Sequence, residues 1–490
     1  MRQFEHGWMP EWKRPIRVPA AVESTHADPP CVFAGGKASV QLPFTLSGNV
    51  SPDVTLKLQL FGGRNNKIPF DCDRVEARLA DGRVLQTAAS DKAGTFGLTI
   101  PESGLEAGDR LTVTVTGCRA SRFRQLNKFV VLYVEDASAP AASTPQWADG
   151  NVWSADTAES VVAVCTLHIL GGKIDHLRAY VPAQCRPGAE FSLLVRPEDR
   201  FSNLSYRKPA RLSVFSGQNE LPAQFEEIPE TTCVRARLSL PEAGTYRLRV
   251  VEEHTGREAL SNPLVCTDDE DATTYWGMIH GHTEMSDGIG SLDQYFYQLR
   301  HEVALDFAGS ADHDHLWETP ERYWEVTCDT VKRWNAPKEF VSILGYEWAK
   351  WRKNGDGDRN VYYLHDHRPM YRSDDGEYPS PPDLFRALAD HGERAIVIPH
   401  HPGHGGNFCD WKDHDERFER LVEIFQVRGS YECVPEDGNP VPERDTREPP
   451  FPKGYVRDAL AFGWRVGFTA GGDDHRGAWG TEAAIDHGYK

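Results

Sequence analysis

Two histidines separated by one residue, His280 and His282, follow a short apolar stretch at 276–279. The carboxylate of Asp287 comes five residues later, beside Gly288. If the apolar stretch is a strand, alternation along it directs both imidazoles to the same side. Imidazole and carboxylate groups gathered in this way suit zinc, manganese and iron. A surface loop could carry the same residues by chance, so the assignment depends on the rest of the chain.

Further candidate ligands lie at the ends of other predicted strands. The strands predicted over 305–310, 340–345, 395–399 and 466–470 lead, in that order, to His313, to Glu347, to His400 and His401, and to Asp473 and His475. Fourteen of the 19 histidines lie after residue 272. Helices are predicted over 292–300, 383–391 and 455–462 between the strands, and alternating strands and helices indicate a parallel sheet or barrel. Active sites of such folds gather at the carboxyl ends of the strands, so these residues predict a polynuclear metal site.

This set of motifs resembles the polymerase-and-histidinol-phosphatase (PHP) superfamily of metallohydrolases. The motifs that carry the resemblance are, in chain order, His280-x-His282, Ser286-Asp287-Gly288, Asp312-His313, Glu347, His400-His401-Pro402 and Asp473-x-His475. The resemblance covers residues 273–490. It implies an α/β fold, a distorted (β/α)7 barrel, that holds two or three divalent Zn, Mn or Fe ions.

The resemblance also implies a ligand set for each ion. The first metal would be held by His280, His282, Glu347 and Asp473. Glu347 would bridge to a second metal, whose histidine is His400 or His401, and a third would be held by Asp287, His313 and His475. The family often has one more histidine before the doublet; here that position falls near 358–360 or at His365. The ligands of the second metal therefore stay open.

A metal-activated water needs no serine or cysteine nucleophile, and the sequence has neither a Gly-x-Ser-x-Gly motif nor a glycine-rich phosphate loop. We therefore predict a metal-dependent hydrolase, most directly of a phosphoester. Two alternatives stay open: a carbamate or carboxylic ester hydrolase of the carbaryl-hydrolase type, and a non-catalytic metal-binding module. Arg428 is a candidate for binding a small anionic substrate, with Arg359, Lys350 and Arg476 as further candidates. His404 is a candidate for protonating the leaving group.

The N-terminal half is rich in short alternating strands, which is typical of β-sandwiches. The predicted organisation is an irregular leader (1–30), a β-sandwich (31–136), a linker (137–159), a second, immunoglobulin-like β-sandwich (160–267) and the metallohydrolase barrel (272–490). The fold class is thus multidomain, with all-β sandwich domains before an α/β barrel. Only 15 residues follow His475. Either the barrel closes in an unusual way, or the sequence is a fragment of a longer chain.

Charge and composition exclude some partners. The formal net charge is −19, from 73 acidic and 54 basic residues, and this sign repels phosphate backbones, so no nucleic acid is expected as a partner. The sequence shows no secretory signal, and its longest apolar stretch, 161–170, is too short and too polar to span a bilayer. The ten cysteines include no Cys-x-x-Cys pair, which is typical of reduced thiols. We expect a cytoplasmic protein with no membrane partner and a small-molecule substrate.

Overall fold

The computed structural model describes residues 22, 24–60, 72–89, 94–135, 161–269, 273–350, 354–443 and 449–481, together with two short strands before them. The expected linker at 137–159 lies outside the described residues, as does most of the expected leader. The chain divides into two compact units. The first comprises Met1–Trp276 and Tyr297–Asp306, and the second comprises Gly277–Phe296 and Phe307–Lys490.

The first unit begins with a β-sandwich region. Its strands are β1 (Arg2–Phe4), β2 (Gly7–Met9), β3 (Ser24–Phe33), β4 (Lys37–Thr45), β5 (Thr55–Gln59), β6 (Arg74–Leu79), β7 (Val84–Leu85), β8 (Thr87–Ala89), β9 (Thr95–Leu98), β10 (Arg110–Arg119), β11 (Gln125–Glu135) and β12 (Val161–Leu170). Strands β1 and β2 pair with each other, and β3 to β12 share one sheet in the order β7-β6-β10-β4-β3-β12-β11-β5-β9-β8. Part of the range expected as an irregular leader, residues 24–30, is therefore strand.

The sheet encloses one apolar core. Val40, Leu42 and Phe44 alternate along β4 and are fully buried in it, as the two-residue period of a strand requires. Strand β12 pairs with β11 and β3, and its alternate side chains, among them Cys165, enter the same core. The expected boundary at residue 160 is therefore misplaced, because 161–170 belongs to the first sandwich.

The second β-sandwich region has its own core. Its strands are β13 (His176–Tyr180), β14 (Gln184–Cys185), β15 (Glu190–Glu198), β16 (Leu212–Ser216), β17 (Asn219–Leu221), β18 (Gln224–Glu227), β19 (Val234–Ser239), β20 (Gly244–Tyr246), β21 (Leu248–Glu252), β22 (Arg257–Leu260) and β23 (Leu264–Cys266). They form three sheets, β13-β15-β19-β18, β14-β23-β20 and β17-β16-β21-β22. Buried side chains from all three sheets, such as Leu193, Leu248 and Leu264, pack in one cluster.

The second unit contains the remaining elements. They are β24 (Gly277–Met278), α1 (Leu292–Tyr297), β25 (Phe307–Gly309), α2 (Glu321–Trp334), β26 (Val341–Trp348), β27 (Asp358–Tyr363), α3 (Pro381–Asp390), β28 (Ala395–His400), β29 (Leu421–Gln426), β30 (Gly429–Ser430), α4 (Val456–Ala461) and β31 (Gly467–Ala470). A π-helical turn at Gln298–Glu302 follows α1, in the segment that joins the first unit, and a 3-10 turn spans Pro435–Asp437. Helix α2 was not predicted.

The expected (β/α)7 barrel is wrong. Strands β24, β25 and β26 are parallel, but β27 runs antiparallel to both β26 and β28, and β29, β30 and β31 form a separate sheet. The segment between Trp348 and Asp358 is shorter than the dozen or more residues that a parallel crossover needs, which explains the hairpin-like reversal. Across the described residues strands far outnumber helices, so the chain is mostly β.

The cysteines and the helices have two further features. All ten cysteines are free, and eight of them are buried. Among the described residues, no helix has the length and apolar character needed to cross a membrane.

Candidate metal centre

The second unit brings together every residue that the sequence analysis proposed as a metal ligand. They fall into three overlapping groups, and within each group one donor atom per residue lies within 4.8 Å of the others. The groups are His280, His282, Glu347 and Asp473; Glu347, Asp358, His400 and His401; and His282, Asp287, His313 and His475. His313 also belongs to a fourth group, with His315 and Glu318. All of these side chains are buried. Both histidines of the 400–401 doublet belong to the second group.

Backbone hydrogen bonds between two distant chain segments position the first group. Gly281 and Asp474 form a parallel bridge, with His282 N donating to Asp474 O at 3.0 Å and Asp473 N donating to His280 O at 2.9 Å. These backbone bonds fix the His-x-His segment against the Asp-x-His segment. As a result, His282 Nε2 lies 3.3 Å from Asp473 Oδ1.

Asp312 holds the loop that follows the two histidines. Its carboxylate accepts hydrogen bonds from Thr283 N at 2.7 Å, Thr283 Oγ1 at 2.9 Å and Ser286 Oγ at 2.7 Å. Gly288 is required in this loop because a Cβ there would collide with the carbonyl group of His282. The loop places Asp287 Oδ1 3.2 Å from His475 Nε2 and 3.5 Å from His313 Nδ1. Asp312 therefore positions the third group without belonging to it.

Glu347 joins the groups. It lies near the end of β26, and its Oε2 is 3.3 Å from His282 Nε2 and 3.6 Å from His280 Nε2. Its Oε1 is 3.4 Å from His400 Nε2 and 3.8 Å from His313 Nε2. The two oxygens of one carboxylate thus face different histidine sets, which is the arrangement of a ligand that bridges two cations.

A second layer of hydrogen bonds orients the candidate ligands. Glu423 Oε2 lies 2.8 Å from His280 Nδ1, which leaves His280 Nε2 facing Glu347 and Asp473. Gln426 Nε2 donates to Asp473 Oδ2 at 2.7 Å, and Arg428 pairs with the same oxygen, so Oδ1 is left to the histidines. Outer partners of this kind fix ring orientation and are part of functional metal sites.

Several buried nitrogens in the cluster lack a hydrogen-bond partner among the described residues. They include Nε2 of His280, Nε2 of His282 and both ring nitrogens of His400. Buried polar groups are rarely left unsatisfied, and each exception calls for an explanation such as an ion. Nitrogens directed at shared carboxylates are what a divalent transition metal would satisfy, so the residues present fit such a cation.

The charges of the cluster are strongly coupled. Burial opposes charge on Glu347 and Asp473, yet the histidines around Glu347, and Arg428 beside Asp473, hold the pKa of each carboxyl well below its usual range. Burial also opposes protonation of His280, but Glu423, Asp473 and Glu347 raise its pKa to about 10. These acids favour the protonated ring of His280 in the metal-free protein, and a bound metal would displace that proton.

Two residues of the cluster have left-handed backbone conformations that non-glycine residues rarely adopt. The φ angle is +49° at Asp473 and +32° at His401. Such conformations cost on the order of 1–3 kcal/mol each and concentrate at functional sites. The strain is consistent with a geometry held for function.

The two predicted catalytic residues have partners of their own. His404 Nδ1 lies 2.5 Å from Glu443 Oε1, and the His404 ring is 5.6 Å from that of His401. Arg428 is mostly buried and pairs with Asp473, so its first role in the structure is to orient a candidate ligand.

Three acidic residues of the site were not predicted as ligands or as their partners from the sequence. Asp358 joins the second group, at the position where the family's extra histidine was sought, and His401 Nε2 lies 3.6 Å from its Oδ2. Glu423 is a buried acid of β29, and an acidic residue inside an apolar run was the sequence signal that could have identified it. Glu318 Oε2 lies 3.1 Å from Nδ1 of His313 and 3.1 Å from Nδ1 of His315, with which it forms the fourth group.

Comparison with known proteins gives relatives without a known activity. Residues 291–463 match the model of a family described as a protein of unknown function (DUF3604). An uncharacterised protein of Chlamydia pneumoniae is 25% identical over 428 residues, which cover 83% of this chain and 65% of that protein. One of Chlamydia muridarum is 26% identical over 400 residues, covering 78% of this chain and 60% of that protein. The chain thus spans less than two thirds of the length of these relatives.

Similarities to solved structures are weak. The D0-D1 domain of intimin is 9% identical with a TM-score of 0.16, over 48% of this chain and 94% of that one. The InvD structure from Yersinia pseudotuberculosis is 12% identical with a TM-score of 0.23, over 51% of this chain and 60% of that one. TM-scores this low carry no argument about the site.

Proposed function

We propose that the chain is a metal-dependent hydrolase that uses a metal-activated water. The observation that carries the proposal is Glu347, whose two carboxylate oxygens face separate histidine sets inside a buried cluster. Two cations bridged in this way would lower the pKa of a shared water and polarise the bond under attack. The resemblance of the motif order to the PHP superfamily supports the same function. Zn, Mn and Fe suit a donor set made only of nitrogen and oxygen.

Residues outside the ligand groups have roles in this proposal. Glu423, with Gln426 and Arg428, holds His280 and Asp473 in orientation. The contact between His404 Nδ1 and Glu443 leaves His404 Nε2 to deliver a proton to a leaving group.

A phosphoester is the first substrate class, because clustered cations neutralise phosphate charge. A carbamate or carboxylic ester is the second candidate, and a specific observation favours it. Arg359 is fully buried and pairs with Glu419 at 2.7 Å, and Lys350 donates to the backbone carbonyls of Pro379 and Ser373. Side chains that were expected to bind an anion are therefore engaged within the protein.

A substrate panel tests the proposal. Protein loaded with Zn or Mn would be assayed on p-nitrophenyl phosphate, bis-p-nitrophenyl phosphate and a naphthyl carbamate, beside the Glu347→Gln variant. We expect turnover of at least one substrate by the wild type and its loss in Glu347→Gln. Glu252→Gln, which changes a buried carboxylate of the second sandwich, is the matched control and should keep the activity.

Turnover of the carbamate alone would select the second substrate class. If fully metal-loaded protein turned over none of the three substrates, or if Glu347→Gln were as active as the wild type, the proposed hydrolase would be wrong.

A further inference from the structure

The second unit has a large cavity at the opposite ends of the strands that carry the metal-ligand candidates. Its volume is about 1100 Å³, and its lining includes Val341 and Ile343 at the start of β26 and Ile396 near the start of β28. Glu347 and His400 lie at the far ends of the same two strands. None of the metal-ligand candidates is among the residues that line the cavity. Its size is that of a site for a small organic ligand.

Part of the cavity lining is aliphatic surface left exposed to solvent. Val341 is 42% exposed, Ile396 42% and Leu364 59%. Exposed apolar area costs about 25 cal/mol per Å² relative to burial, so an apolar ligand would gain free energy by covering these side chains. Contiguous apolar surface of this kind marks binding sites on soluble proteins.

The lining also includes basic residues that pair with no acid in the part of the chain that the structure describes. Lys332, Arg394 and Arg420 are among the lining residues, and their side chains make no hydrogen bond or ion pair with a residue in the described ranges. Two other charged residues of the lining are ion-paired. Arg417 pairs with Asp415 at 2.5 Å and Glu393 with Arg368 at 2.5 Å, which leaves Asp366 as the one acid of the lining not paired with an arginine.

This charge pattern is opposite to that of the chain as a whole. Acidic residues outnumber basic ones by 73 to 54, so most cations have acids available to them. Three basic residues against one acid without an arginine partner, Asp366, create a local positive field around the apolar cavity of an otherwise negative protein. An anion with an apolar body satisfies both features at once.

We propose that this cavity binds a small amphipathic anion, with a hydrocarbon or aryl body against Val341, Leu364 and Ile396 and a carboxylate among Lys332, Arg394 and Arg420. The proposal does not depend on the hydrolase activity, because it uses none of the metal-ligand candidates. Binding requires both the apolar body and the negative head. A neutral or cationic molecule with the same body should bind more weakly.

The test is isothermal titration calorimetry of the full chain with decanoate and with decyltrimethylammonium as the cation of equal chain length. We expect one decanoate per chain and at least roughly tenfold weaker binding of the cation, since charge-assisted contacts add about 1.4 kcal/mol or more. The double variant Arg394→Gln, Arg420→Gln should lose at least roughly tenfold in decanoate affinity. The control variant Arg322→Gln, Arg386→Gln removes two exposed arginines outside the lining and should bind as the wild type does.

A third variant, Ile396→Asn, removes apolar surface without changing the charge, so it tests the apolar contact separately, and it should weaken decanoate binding. All four side chains replaced by glutamine are exposed, so circular dichroism should show unchanged folding. Absence of saturable binding, equal binding of the two amphiphiles, or unchanged decanoate affinity in the cavity double variant would each overturn the proposal.

Discussion

Replacing Glu423 by alanine should weaken metal binding at the site served by His280 by about 10- to 100-fold. Glu423 Oε2 lies 2.8 Å from His280 Nδ1 inside a fully buried cluster, and this contact leaves Nε2 to face Glu347 and Asp473. Without it the ring can rotate, and Nδ1 becomes an unsatisfied buried group. Since a tenfold change in affinity is about 1.4 kcal/mol, the expected loss is about 1.4–2.8 kcal/mol.

Glu423→Gln is the graded variant. It keeps an oxygen acceptor but loses the charge, and a charge-assisted bond is roughly twice as strong as a neutral one. The loss should therefore be intermediate, roughly 3- to 10-fold. Competition with a chromophoric chelator measures Zn affinity, and thermal melting of the metal-free proteins shows whether folding is intact. Glu252→Gln again serves as the control and should keep wild-type affinity.

Metal affinity within threefold of the wild type in a folded Glu423→Ala protein would refute this reasoning. Equal losses in the alanine and glutamine variants would also refute it, since the graded effect follows from the retained acceptor.

Three further outcomes are expected. Asp312→Ala leaves the hydrogen-bond donors of Thr283 and its loop unpaired, so the free energy of unfolding measured in urea should fall by about 1–3 kcal/mol. An unchanged urea midpoint would contradict the role of Asp312 in positioning this loop. In the metal-free protein the pKa of His280 is raised from 6.5 to about 10. Its contribution to stability is therefore complete below pH 6.5 and is lost as the pH rises through 10. The melting temperature should fall across that pH range, and it should fall less when metal is bound. Arg428→Gln should raise the pKa of Asp473, so protons compete better with the metal and metal binding is lost at a higher pH than in the wild type. Arg428→Lys should restore the wild-type pH profile of metal binding. Overlapping pH profiles of the wild type and Arg428→Gln would contradict this prediction.

The positions of most elements in the second unit could be predicted from the sequence. Strands predicted over 395–399 and 466–470 are observed at Ala395–His400 and Gly467–Ala470, because short apolar runs between polar turns are a strong signal. Helix α2 was missed although Tyr323, Thr327 and Val331 recur at helical spacing on its buried face. Its aromatic and β-branched residues, which are weak helix formers, obscured that period.

Strand direction could not be predicted in the same way. The alternation of strands and helices indicated a parallel barrel, but periodicity along a strand is the same whichever way its neighbour runs. The short connection before Asp358 was the local signal for an antiparallel β27. That reversal brings Asp358 beside His400, its register partner on β28, and so adds a carboxylate to the second group.

The ligand candidates were identifiable because they are polar residues at the ends of apolar strands. Their outer partners were not, since Glu423 is 143 residues from His280 in sequence and Arg428 is 45 residues from Asp473. Arg428 itself was selected as an anion-binding residue, whereas the structure uses it to orient Asp473. The sequence predicts where the candidate ligands lie along the chain, whereas their hydrogen-bond partners follow only from the fold.

Metal stoichiometry tests the central claim most directly. The purified chain, grown with supplemented Zn and Mn, would be analysed by inductively coupled plasma mass spectrometry beside folded His280→Ala and Glu347→Gln variants. We predict two or three equivalents of transition metal in the wild type and the loss of one equivalent in His280→Ala. Glu347→Gln should lose at least one, because Glu347 faces two of the ligand groups. Less than one equivalent in the wild type, or full metal content in both variants, would contradict the account.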